Sequence, residues 1–309
     1  MKFAITRDVS PRIGNCELAH LERAAIDLDR ARQQHDAYCG ALSELGWTII
    51  RLPASPDLPD SVFVEDAAIV TDEVAILTNP GAVSRRPEIA PIAEVLGKFR
   101  KAAVVRPPAT LDGGDVLILG RDVWVGVGAR TNEEAVEALR AILQPYGFAV
   151  RAAQPHGCLH LKSAITRAGP DCLIVNPNWI EPGIFSGWRI VEVDPQEPFA
   201  ANVLWLGEVT LVAEAYPRTR DRLDAHGLKC RTIDMSELAK AEGGLTCCST
   251  CMMREESLSL IDEEPALVRL CRTTFQPHEG LITEDPRSGF RRSGGHRQHH
   301  LRRYRTHAG

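Results

Sequence analysis

Short apolar runs come in pairs along this chain, and after most pairs the apolar spacing lengthens to that of a helix before one more strand-like run appears. VFVEDAAIV from Val62 and VAILTN are followed by Ile89, Ile92, Val95 and Leu96 at helical intervals, then by AAVVRP from Ala102. VLILG and VWVGVG come next. Thr131 and Glu134 stand in capping-box spacing before Val136, Leu139, Ile142 and Leu143, and FAVRAA from Phe148 closes that unit. A third unit has LKSAIT and CLIVNP, a short connection through Pro177 and Pro182 where the others have a helix, and WRIVEV from Trp188. A fourth has VLWLGEVTLV, a helix after Pro217 and LKCRTID from Leu228. FAITRDV and a long helix from Ile26 to Leu45 at the amino end pair with GGLTCCS from Gly243 to make a fifth, split between the two ends of the pattern.

Each unit opens on a polar or reactive residue. Glu65, Asp112, His160, Asn202 and Cys247 mark these openings at intervals of 47, 48, 42 and 45 residues. A ββαβ-type unit recurring at such spacing predicts an α/β fold whose repeats close around an axis, since one unit cannot bury its apolar face alone. Splitting one unit across the chain stitches first and last elements together and closes the ring. Strand alternation in LHLKS puts His160 and Lys162 on one face, and in GGLTCCS it turns Cys247 and Cys248 to opposite sides.

With 309 residues, 44% hydrophobic and 25% charged, the chain reads as globular, and a net charge of −5 argues against nucleic acid as a partner. No apolar run approaches the roughly 20 residues needed to span a bilayer. The start MKFAITRDVSPRI has a strand-like core where a signal peptide has an apolar stretch, so the expected location is cytoplasmic, with no membrane partner. Nine cysteines without secretory context predict free thiols. The pattern stops near Met253, which divides the chain into a catalytic domain at 1–253 and an extension at 254–309. Residues 255–285 carry all eight acidic groups of the extension, and 286–309 hold seven arginines, four histidines and no acid. So little apolar content at the basic end predicts disorder for much of the extension.

The openings, if they converge, bring together a thiol, an imidazole and several carboxylates, the ingredients of nucleophilic catalysis by cysteine. Each also has a plainer reading. A buried cysteine behaves as a small hydrophobe, which suits Cys248 in particular. Cys251 completes a CCxxC cluster, but zinc needs about four ligands and no second Cys or His pair has matching spacing. His160 serves equally as a hydrogen-bonded structural residue, Asp112 and Asp115 flank a Gly-Gly pair that commonly marks a tight turn, and Asp60 in LPDSVF is a turn residue on the same grounds. Glu65 and Asp66 are adjacent carboxylates between apolar flanks, costly to bury unpaired, so they should face a polar cavity or a cationic ligand. An acidic cavity holding a cysteine and a histidine suits a substrate that is cationic and electrophilic at carbon. A guanidinium is both, and carboxylates match its planar fork of donors.

The segments FVEDAAIV, NPGAVSRRPE, TLDGGDVL, ARTN, HLKS, AAN, YPRTR and GGLTCCS resemble those of the dimethylarginine dimethylaminohydrolase family, within the pentein or guanidine-modifying superfamily, over about residues 3–250. Lys162 stands two residues after the histidine, where arginine deiminases typically have aspartate. The resemblance implies a five-bladed α/β-propeller with its site in the central channel. It implies Cys247 as nucleophile, His160 as general acid and base, and Asp112 as the carboxylate orienting the histidine. On the substrate it implies Asp60 and Asp66, with Glu65 in support, at the guanidinium, Arg85 and Arg130 at the carboxylate, and the carbonyls of Leu18 and Ala241 near the amine. The implied reaction hydrolyses an N-omega-methylated arginine to citrulline and an alkylamine through a covalent thiouronium, with a small-molecule guanidino substrate and no metal or organic cofactor. Arginine deiminase-like or amidinotransferase activity, and a non-enzymatic binding module for guanidino ligands, are the other function classes. Glu242 stands where members often have aspartate, and Asn15 to Leu18 belong to a lid whose sequence varies.

Overall fold

The computed structural model describes residues 1–253, and among these the strands form five three-stranded sheets. The expected extension from 254 lies outside the described residues. In the first unit Ala68–Val70 runs antiparallel to Val74–Leu77, which runs parallel to Lys101–Val104 after the crossing helix Ile89–Leu96. The second repeats this with Val116–Leu119, Asp122–Gly126, helix Glu133–Leu143 and Ala149–Ala153. The third pairs Ile165–Arg167, Cys172–Val175 and Arg189–Glu192 and replaces the helix with a single 3-10 turn at Pro182–Ile184. The fourth uses Leu204–Trp205, Thr210–Ala213, helix Pro217–Ala225 and Cys230–Ile233. The fifth is the split unit: Thr250–Met253 pairs antiparallel with Lys2–Arg7, which pairs parallel with Thr48–Leu52 beyond helix Leu28–Glu44.

What joins the units is apolar side chains at their seams. Ile76, Leu111, Val123 and Leu139 share a cluster between the first and second units. Leu117 and Leu119 meet Leu173 and Val175 between the second and third. Ile174 and Val191 meet Val203 and Leu223 between the third and fourth. Leu211 and Ile233 meet Tyr38 and Leu42 between the fourth and the split unit. Ile5 and Met252 meet Leu77 and Ile92 between the split unit and the first, which closes the ring. Each fully buried Leu or Ile at these seams contributes about 1.5–3 kcal/mol. The helices face the seams because their apolar positions recur at helical spacing: Ile89, Ile92, Ala93 and Leu96 are the buried positions of the first. No helix among the described residues is long and apolar enough to cross a membrane.

Three local expectations are corrected. The first strands start later than alternation implied, because a turn comes before them: 3-10 turns at Val64–Ala67 and Gly113–Asp115, one helical turn at Leu161–Ala164, and a turn at residues 245–248. His160 is therefore the N-cap of a helical turn, and Cys247 lies in a turn ahead of strand Thr250–Met253, so strand alternation does not apply to either. The cap of the helix at Glu133–Leu143 is Asn132, whose side chain accepts from the Ala135 N–H. Thr131 stands one residue too early, and its hydroxyl goes to Asp115 instead.

Candidate active site

These turns tip the polar openings inward. Asp112 receives the Gly81 N–H on Oδ1 at 2.9 Å and meets the His160 ring with Oδ2, 3.1 Å from Nε2. The Gly113-Gly114 pair makes the approach sterically feasible: a Cβ at Gly113 would lie 2.0 Å from the Glu65 carbonyl oxygen, and one at Gly114 only 2.6 Å from His160 Nδ1. The Gly114 N–H donates to Asp66 Oδ1 at 2.8 Å. Opposite, the Gly244 N–H donates to Cys247 Sγ at 3.3 Å. Asn202 accepts the Thr246 N–H at 3.0 Å and donates to the Lys162 carbonyl at 3.2 Å, tying the cysteine turn to the histidine turn. Tyr38 braces it from below, its hydroxyl on the Leu245 carbonyl at 2.9 Å.

Cys247, His160, Asp60, Asp66, Arg85 and Arg130 line one pocket, with Ala241 and Glu242 also on its wall. Burial alone would lower the His160 imidazole, but Asp66, Asp115 and Asp112 overcome it and raise its pKa to about 9, so the ring is a cation at neutral pH. Burial opposes ionisation of Asp66, yet His160 and Arg85 hold its carboxyl below the ordinary range. Burial, then Glu65 and Asp66, push the Cys247 thiol up to about 12. The site therefore pairs a neutral thiol with an imidazolium, and its excess of carboxylates favours a cation.

Arg85 is fully engaged on one edge. Nε and one terminal nitrogen hold Glu88 at 3.1 and 2.8 Å, the other terminal nitrogen holds Asp66 at 2.6 Å, and the Phe63 carbonyl accepts at 3.1 Å. Arg130 lies 3.8 Å from Asp112 with its side chain 11% exposed, so more of its fork is open to a ligand. Asp60 receives the Glu17 N–H with both oxygens. Glu242 adopts a left-handed backbone, φ 60, where glycine would be least strained. Its carboxylate accepts from the N–H groups of Ala19, His20 and Leu21, so the two acids grip the segment on either side of Leu18. Leu18 itself packs half-buried on the seam, off the pocket wall. Glu65 is also off the wall: it points behind Cys247, to Lys162 at 2.5 Å and the Thr246 hydroxyl at 2.7 Å.

Asp66, Asp112 and His160 present ligand-type atoms within 4.8 Å of one another. The carboxylate oxygens are already taken by Arg85 and the Gly81 and Gly114 amides, so the cluster holds the imidazolium. Glu88, Asn202 and Asp115 support the site without having been assigned to it from sequence. Asn202 alone carried a signal, as the fourth of the recurring openings.

A family model described as arginine deiminase matches residues 54–196. The N(G),N(G)-dimethylarginine dimethylaminohydrolase of Streptomyces coelicolor is 41% identical over 251 residues, 80% of this chain and 96% of that protein. A solved structure of the Pseudomonas aeruginosa dimethylarginine dimethylaminohydrolase, a cysteine-to-serine variant complexed with citrulline, superposes with a TM-score of 0.78 at 31% identity, covering 81% of this chain and 98% of that one. A histidine-to-glycine dimethylarginine dimethylaminohydrolase, an adduct with S-methyl-L-thiocitrulline, gives 0.77 at 32%, covering 81% and 99%.

Proposed function

The chain belongs to the dimethylarginine dimethylaminohydrolase family, and from that membership we propose that it hydrolyses an N-omega-methylated arginine to citrulline and an alkylamine. The observation carrying this reading is that one acidic pocket holds both Cys247 and His160, with Asp112 hydrogen-bonded to the imidazole from behind the wall.

The substrate guanidinium enters among Asp60, Asp66 and Cys247, and its charge offsets the carboxylates that keep the thiol neutral. The thiol proton leaves to solvent. The thiolate attacks the guanidinium carbon, forming a C–S bond, and the His160 imidazolium donates its proton to the alkylated nitrogen, so that the C–N bond breaks with a neutral amine departing. Asp112 keeps the imidazole oriented throughout. A thiouronium remains on Cys247. Neutral His160 then takes a proton from water as it attacks the same carbon, and collapse expels the thiolate while the hydroxyl proton is lost to solvent, releasing the neutral ureido product. Arg130 meets the substrate carboxylate, and the Ala241 carbonyl on the pocket wall serves the amine. Citrulline assays across arginine, monomethylarginine, asymmetric dimethylarginine and agmatine test this reading. Turnover of the methylated arginines alone fits it, preference for arginine makes the enzyme a deiminase, and product formed only with an added amine acceptor makes it an amidinotransferase.

Two further outcomes are expected. With the thiol near 12 in the ligand-free protein, alkylation of Cys247 by iodoacetamide, followed on its own peptide by mass spectrometry, should rise about tenfold per pH unit from pH 7 to 10. A plateau by pH 8 would mean an ionised resting thiol. Arg130→Ala deletes a charge-assisted contact of about 1.5–3 kcal/mol, so kcat/KM for α-amino acids should fall roughly 10- to 150-fold. Agmatine, without the carboxylate, should be little affected. Equal losses for both would assign Arg130 to the fold.

A further inference from the structure

Asp115 and Thr131 lie behind the pocket, buried, and take no part in the reaction above. The geometry is a closed circuit of hydrogen bonds around His160. Asp112 meets the ring at 3.1 Å. The Asp112 N–H donates to the Thr131 hydroxyl at 3.1 Å, and that hydroxyl donates to Asp115 Oδ2 at 2.7 Å. Asp115 Oδ1 accepts the N–H of Leu161, the residue after His160, at 2.9 Å. The Thr131 oxygen accepts the Asp112 N–H with one of its two lone pairs and directs its proton to Asp115 Oδ2. Both Asp115 oxygens accept, Oδ2 from this hydroxyl and Oδ1 from the Leu161 N–H. The circuit holds the two ends of the same imidazole: its ring through Asp112 and its backbone through Asp115.

We propose that Thr131 is a positioning residue for His160, its hydroxyl coupling the backbone of Asp112, whose carboxylate orients the ring, to the Asp115 carboxylate, which anchors the histidine backbone and adds negative charge beside it. This rests on the reading of His160 as the acid and base of the reaction. Burial raises the Asp115 carboxyl to about 6, and the Thr131 hydrogen bond is among the groups opposing that rise. Without the hydroxyl the tie between Asp112 and Asp115 is cut, and the ring is held less firmly against Asp112, whose hydrogen bond and charge support the imidazolium. The other charged or titratable groups around His160 and Asp115 stay in place: Asp66 with Arg85, Asp112 with Arg130, and the thiols of Cys247 and Cys158. Arg130 is the neighbour of Thr131 in sequence, so the same loop serves both ends of the substrate.

The test is an NMR titration of the His160 ring in histidine-labelled protein, run on wild type, Thr131→Val and Thr131→Ser. Valine keeps the shape and removes the hydroxyl, whereas serine keeps the hydroxyl. The expected result is a lowered His160 titration in the valine variant, restored by serine. In steady state the alkaline limb of kcat moves with it, and KM stays near wild type. An unmoved titration in a folded valine variant overturns the proposal whatever the rate does. Should the valine variant fail to fold, Thr131→Ala removes the hydroxyl without the bulk of valine: a lowered titration supports the proposal and an unmoved one overturns it. The titration needs no substrate, so absence of citrulline formation by the wild type would remove the proposed function while leaving the NMR result to decide on Thr131.

Discussion

Cys247→Ser is expected to lose essentially all citrulline formation, roughly four orders of magnitude or more, while Cys248→Ser and Cys251→Ser keep a large part of it. A serine hydroxyl is a far weaker nucleophile than a thiolate, and the pocket offers no neutral base to activate it, because His160 is held as a cation. Cys248 is fully buried in the seam between the fourth unit and the split unit, its sulfur facing the Gly244 carbonyl at 3.8 Å. Cys251 lies on strand Thr250–Met253 beside Ser249 at 3.5 Å. Neither lines the pocket, so their serine variants should lose stability more than rate. Inactivity of Cys248→Ser with normal turnover by Cys247→Ser would overturn the assignment.

His160→Gly removes the proton donor for the leaving amine and the acceptor for the attacking water, a loss on the order of 10² to 10⁴ in rate. If hydrolysis slows more than amine departure, a covalent adduct accumulates, and intact-protein mass spectrometry after mixing with substrate should show it on Cys247. The wild-type rate should fall as pH rises through about 9, where the imidazolium is lost, and this limb should vanish in the variant. The substitution also leaves Asp66 and Asp112 buried beside a void, so its melting temperature should drop. Near-normal activity would remove His160 from the mechanism.

The amino-acid sequence by itself determined the repeat. Apolar spacing is a local property, so pairs such as VLILG and VWVGVG, or Ile89, Ile92 and Leu96, announce strands and helix without knowledge of their neighbours. The constant interval between Glu65, Asp112, His160, Asn202 and Cys247 announced that the openings meet. Only the tertiary structure decided what each meeting residue does there. Glu65 and Asp66 are adjacent in sequence, yet one turns behind the cysteine to Lys162 and the other into the pocket beside Arg85, because a 3-10 turn replaces the expected strand. The charge on His160 depends on Asp66, Asp112 and Asp115, which reach it from two other units, and no spacing rule reports a pKa set by groups so distant along the chain. The same holds for Glu242 gripping the backbone of Ala19 to Leu21 and for the Thr131 hydroxyl joining the Asp112 backbone to the Asp115 carboxylate. Periodicity records which face a residue must bury. Hydrogen bonds and electrostatic shifts depend on distances of a few ångströms between residues that only the closed ring brings together.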